Sequence, residues 1–114
     1  MKKYQIGDIV FVSNYEYKNQ EAGTNHCFVI IDDGKAIDID YFGFLISSNL
    51  SKQSYPYNEV LLKNHRNHLY KDSIVKCDDL IQVEESEIQF KIGTVEKEDV
   101  ERFIQKYSEY LETI

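Results

Sequence analysis

The chain has 114 residues, a formal net charge of −7 and hydrophobic residues at 42%, which suits one soluble domain, residues 1–114, with a core that needs no metal or disulfide staple. No apolar run approaches the roughly 20 residues of a membrane helix, and Met1-Lys2-Lys3 is not followed by the apolar stretch of a signal peptide. A cytoplasmic protein without membrane contact is expected, and the acidic balance speaks against double-stranded DNA as a partner.

The first strand expected is Asp8 to Ser13, entered from a Gly7-Asp8 turn. A polar loop follows, and Cys27 to Asp32 reads as a second strand, apolar on both faces through Phe28-Val29-Ile30-Ile31. Asp33-Gly34 is a hairpin signal, and Ala36 to Asp40 reads as the strand after it. Phe44 to Ser47, Asn58 to Leu62 and Ser73 to Cys77 are further strand-like runs, with the only proline, Pro56, marking a turn or strand entry. Glu87 to Ile92 alternates Ile88, Phe90 and Ile92 on one face. The period then changes. Val100, Phe103, Ile104, Tyr107, Leu111 and Ile114 form one stripe of an amphipathic helix, with Glu96, Glu98 and Asp99 at its positive end. The stripe reads either as a lid over a sheet or as a partner surface, the lid being the simpler use. The fold expected is mainly β: a small SH3-like barrel or strongly curved antiparallel sheet with a C-terminal α-helix.

The acid is unevenly placed. Residues 71–114 hold six Lys/Arg against twelve Asp/Glu, whereas residues 1–70 hold seven against eight. Between Lys52 and Lys71, Lys52, Lys63, Arg66 and Lys71 face Glu59 alone, so an anionic ligand would be steered there. Cys27 and Cys77 match no metal spacing and read as small buried hydrophobes. His65 and His68 could share a helical face, but no third ligand accompanies them and no metal site is expected. Asn25-His26-Cys27 sits where the first loop feeds a core strand, a place where small barrels carry chemistry. Taken alone, a histidine like His26 is more often a satisfied surface or half-buried side chain, Ser47-Ser48 is more often a turn, and most of the nine tyrosines read as caps on the core.

Taken in order, these segments resemble the PemK/MazF family of toxin endoribonucleases over nearly the whole chain. Gly7-Asp8-Ile9-Val10 resembles the family's opening strand, and Glu21-Ala22-Gly23 before Phe28-Val29-Ile30-Ile31 its first loop and second strand. Ile46-Ser47-Ser48 resembles the end of its third strand. Tyr55-Pro56-Tyr57 with Val60-Leu61-Leu62 resembles the strand after that. Ser73 to Leu80 resembles the strand that meets an Asp-Gln pair, and Lys91-Ile92-Gly93-Thr94-Val95 the closing turn. The resemblance implies a homodimer that cuts single-stranded RNA without a metal or other cofactor, and a small antitoxin whose tail lies in the RNA groove.

The chain departs from that pattern at the site. The family's Arg-Pro pair before the second strand is matched by His26-Cys27, its hydroxyl residue by Ser47, and its Asp-Gln pair by Asp78-Asp79. Metal-free cleavage needs a base for the 2′-hydroxyl, a donor to the phosphate and an acid for the leaving oxygen. His26 is therefore expected as the general acid/base and Ser47 as the group that positions phosphate, with Arg66 or Lys52 replacing the lost cation. Asn25, Tyr17, Lys18 and Ser48 are expected to complete the RNA surface, the tyrosine by stacking. Two other readings are a degenerate member of the same fold that binds RNA or a peptide without cutting, and an unrelated SH3-like module gripping an extended peptide.

Overall fold

The computed structural model describes residues 2–15, 24–35 and 40–114. Among the described residues, six strands form one sheet: β1 (Asp8–Tyr15), β2 (Thr24–Asp32), β3 (Tyr41–Ser47), β4 (Asn58–Leu61), β5 (Ser73–Val83) and β6 (Ile88–Thr94). Single 3₁₀ turns at Leu50–Lys52 and Glu85–Glu87 precede β4 and β6, and a helix, α1 (Lys97–Leu111), closes the chain. The sheet order is β4-β5-β3-β2-β1-β6, and each pair of neighbours is antiparallel.

That order forces the sheet to curl. β5 and β6 have three strands between them, which in a flat sheet is a gap of roughly 19 Å. Only residues 84–87 connect them, and three of those form the 3₁₀ turn. Even fully extended, that link reaches only about 18 Å. The curl brings Ile81 and Val83 of β5 and Ile88 of β6 into one cluster with Val10, Val12, Phe28 and Ile30. Register shifts in β1 and β3 absorb the bend. β4 and β6 nonetheless do not pair with each other, so the expected mainly-β fold is an open, curved sheet rather than a closed barrel.

The alternate face carries a second core. Ile9, Val29, Phe44, Ile46, Val75 and Cys77 point toward α1 and pack with Val100 and Phe103. This explains why β2 is apolar on both faces: each side covers a core. The expected helical stripe is only partly used as a lid. Val100 and Phe103 are buried, Tyr107 packs at the margin, and Ile104, Leu111 and Ile114 remain exposed. The helix starts on a capping box between Glu96 and Asp99.

Several boundaries differ from the sequence expectation. β3 begins at Tyr41 rather than Phe44 and runs through Gly43. A Cβ at Gly43 would lie 2.6 Å from the Val29 carbonyl oxygen, so glycine there serves a close strand approach and does not end the strand. β5 continues past Cys77 to Val83, because Asp78 and Leu80 turn outward while Ile81 and Val83 stay buried. The strand expected over Ala36 to Asp40 falls almost wholly outside the described residues.

Arg102 ties the helix to the edge strand. Its guanidinium donates to Asp99 Oδ1 at 3.1 Å, Glu59 Oε1 at 3.1 Å and the Val60 carbonyl at 2.9 Å. Arg102→Ala is expected to cost about 1 kcal/mol, because a side chain this exposed loses part of each charged contact to solvent. Urea denaturation would show the loss, and the β4 amides would exchange faster with deuterium. Unchanged stability together with unchanged β4 protection would show that the strand is held by sheet pairing alone.

Candidate active site

The start of β2, the end of β3 and the start of β5 surround a cleft of about 460 Å³. Cys27 pairs with Ile46, so one further step along the same antiparallel register sets His26 across from Ser47. Ser47 in turn pairs with Ile74 on β5. His26, Ser47 and Ser48 all line the cleft, on an apolar floor that includes Phe11, Leu45 and Ile46. The Ser47 hydroxyl oxygen accepts the Asn49 N–H at 3.2 Å, which leaves its own proton available for another acceptor.

His26 is half-buried, and its ring meets Phe28 edge-on at 6.2 Å. Burial lowers its pKa below the ordinary value of 6.5, and the Lys76 ammonium lowers it further. The imidazole is therefore mostly neutral at pH 7, the form that accepts a proton. Cys27, beside it in the same cleft, is the opposite case: burial raises its thiol pKa and keeps it protonated. Cys77 is pushed up to about 12, first by burial and then by Glu59. Neither cysteine is poised as a nucleophile.

Among the described residues, the positive charge on this cleft comes from Lys71 and Lys76. Arg66 lines a different cleft, beside α1, and pairs with Glu96 at 3.2 Å. Lys52 lines a third cleft, with its ammonium 5.9 Å from the Tyr55 ring centre. Asn25 is the second residue of β2, next to His26. Tyr17 and Lys18 lie outside the described residues. The structure thus brings together His26, Ser47 and Ser48, sets Lys52 and Arg66 elsewhere, and adds Lys71 and Lys76. Lys76 had one sequence signal, since it is the single cation in an otherwise apolar strand start, Ser73-Ile74-Val75-Lys76-Cys77.

The loop over residues 62–72 forms one wall of the cleft through Leu69, Tyr70 and Lys71, and it is rigidly pinned. Asn67 is fully buried. Its amide oxygen accepts from Asn64 N and Leu69 N, each at 3.0 Å, and its amide nitrogen donates to the Leu62 carbonyl at 2.9 Å. The Arg66 carbonyl accepts from Thr94 N on β6 at 3.1 Å. The segment Asn64 to His68, around the two histidines weighed as metal ligands, is thus largely scaffolding. Among the described residues, no three His, Cys, Asp or Glu side chains come together as metal ligands.

The third cleft, about 470 Å³, lies between the 52–58 segment and β5, and shares Lys76 with the first. Tyr57 is held there at φ 67°, a conformation costly for a bulky residue. Its ring meets Tyr110 edge-on at 5.4 Å, and its carbonyl accepts from Cys77 N at 3.0 Å.

A family model of PemK-like, MazF-like toxins of type II toxin–antitoxin systems matches residues 5–109, and the chain belongs to that family. No curated protein matches it in sequence. Among solved structures, the Mycobacterium tuberculosis toxin MazF-mt6 superposes with a TM-score of 0.66 at 10% identity, over 90% of this chain and 95% of that one. An endoribonuclease in complex with its cognate antitoxin, from a mycobacterial species, superposes with a TM-score of 0.67 at 10% identity, over 93% of this chain and 92% of that one. At such identity the likeness is one of fold.

Proposed function

We propose that this toxin-family protein is a metal-independent endoribonuclease acting on single-stranded RNA. The observation that carries the reading is the convergence of His26, Ser47, Lys71 and Lys76 on one cleft. Neutral His26 takes the proton of a ribose 2′-hydroxyl. The 2′ oxygen then bonds to phosphorus, and the bond to the 5′ oxygen breaks. Ser47 donates to a non-bridging phosphate oxygen, and Lys76 offsets the charge that grows there. The leaving oxygen takes a proton from water or from Lys71, exposed at the rim. The products are a 2′,3′-cyclic phosphate and a 5′-hydroxyl end.

The partners that go with this reading are a small antitoxin and a second copy of the chain, in the cytoplasm. The antitoxin is supported by the family and by the structural neighbour solved in complex with its cognate antitoxin. The test is incubation of a long unstructured RNA with the purified protein in EDTA. Cuts at a few discrete sites, with 5′ ends that a kinase labels without prior phosphatase treatment, are expected. The absence of any cut by folded protein would favour the second reading, a member of the fold that binds without cutting. That reading has its own support in His26-Cys27, where the family has Arg-Pro.

A further inference from the structure

We infer that the third cleft is a base-reading subsite for a nucleotide next to the scissile phosphate, and that it favours bases presenting N–H donors, guanine first and uracil last. The inference rests on the proposed ribonuclease reading and says where that enzyme's sequence preference comes from.

Three observations carry it. First, the cleft is contiguous with the first one through Lys76, a half-buried lysine that lines both. A phosphate held by Lys76 in the first cleft places the neighbouring nucleotide at the mouth of the third.

Second, the cleft offers a flat aromatic surface. Tyr55 is 57% exposed, and Lys52 sits near its ring. The surface is built on a stiff base. Tyr57 is fixed against Tyr110, which leans on Tyr107, which leans on Phe44 in the core. Asn58 Nδ2 donates to the Lys52 carbonyl at 2.9 Å and holds the turn in place. A base can stack on Tyr55 at little cost in ordering the protein.

Third, the charges are mixed. Lys52 and Lys76 are balanced by Asp78 and Asp79, so the cleft has no net pull on a phosphate. Carboxylates in such a place suit the N–H edge of a base. Asp79 is partly buried and already engaged within the protein, whereas Asp78 is exposed at the rim. A carboxylate accepts two parallel hydrogen bonds from N1–H and N2–H of guanine. Adenine and cytosine offer one amino group each. Uracil offers a single N–H flanked by two carbonyls that a carboxylate repels.

The test uses four 2′-O-methyl hexanucleotides, which cannot be cleaved through the 2′ position: oligo-uridine with one central guanine, adenine, cytosine or uracil. Binding to the whole wild-type protein is measured by fluorescence anisotropy, and cleavage of natural RNA is assayed separately. The guanine oligonucleotide is expected to bind about tenfold more tightly than all-uridine. Asp78→Asn is expected to shrink that ratio to about twofold or less, and Tyr55→Ala to weaken all four oligonucleotides by about tenfold. Both side chains are exposed, so the variants should fold, which circular dichroism would check. Selective binding by a wild type that cuts nothing would support the subsite while removing the nuclease reading. Discrete cutting by a protein that binds all four alike, with Asp78→Asn cutting the same sites at the same rates, would overturn the subsite while keeping the nuclease.

Discussion

Cleavage by the His26→Ala variant is expected to fall by about 10²–10⁴-fold, the usual contribution of a positioned acid–base group. The side chain is only half-buried and sits near the start of β2, so its truncation costs little beyond its edge contact with Phe28. The pH profile adds a sharper test. His26 must be neutral to act as the base, and burial with Lys76 lowers its pKa below 6.5. Activity should therefore rise with pH along an acid limb centred below that value and be level near pH 7. Lys76→Met removes a positive neighbour, which makes the imidazolium easier to form, so the folded pKa rises and the limb moves to higher pH. Because Lys76 also faces the phosphate, the plateau will drop as well; the limb's midpoint is the readout. Full cleavage by His26→Ala would remove His26 from the chemistry. A limb that does not move in Lys76→Met would show that burial alone sets the pKa.

Gly93→Ala is expected to cost about 3 kcal/mol, the upper end for overpacking. A Cβ there would lie 2.3 Å from the Asn67 carbonyl oxygen, 2.5 Å from its carbonyl carbon and 2.8 Å from the Arg66 carbonyl oxygen. All three are backbone atoms, and they cannot move aside cheaply. Asn67 is fully buried and held at both ends of its side chain, and Arg66 is hydrogen-bonded to Thr94 beside the glycine. Urea unfolding measures the loss. A second readout is the site itself: displacing the 62–72 loop moves Leu69, Tyr70 and Lys71, so RNA affinity should fall even where the variant is folded. A loss below about 0.5 kcal/mol, the range of a neutral surface change, would mean that the loop gives way easily.

Much of the fold was legible because the apolar pattern is strong where strands are buried on both faces. Phe28 to Ile31 and Val100 to Phe103 mark β2 and α1 directly. The misread boundaries share one cause: residues that act as breakers in isolation are overridden by tertiary contact. Gly43 looks like an interruption, yet it is the residue that lets β3 approach β2. Asp78 and Asp79 look like a strand end, yet β5 turns Asp78 outward, takes up Asp79 half-buried, and runs six residues further than expected. At the site, His26 and Ser47 could be paired from family resemblance, and they lie one step beyond the Cys27–Ile46 pair and line the same cleft. The cations could not be assigned that way. Counting charge along Lys52 to Lys71 gives no direction for any side chain. Arg66 turns toward Glu96 and Lys52 toward Tyr55, while Lys71 and Lys76 face the cleft.

The strand order also governs when this protein can exist as a folded object. β1 finds β2 as soon as the first 32 residues are made, but its other edge is filled only by β6, residues 88–94. β3 likewise waits for β5, because β4 is added outside β5 and not between them. Pairings this distant in sequence form slowly. During synthesis the nascent chain holds His26 and Ser47 while still lacking Lys71, Lys76 and the strand that closes the curl. The cleft therefore cannot form before Lys76 is made, and until β5 and β6 are added the half-made sheet leaves an edge unfilled.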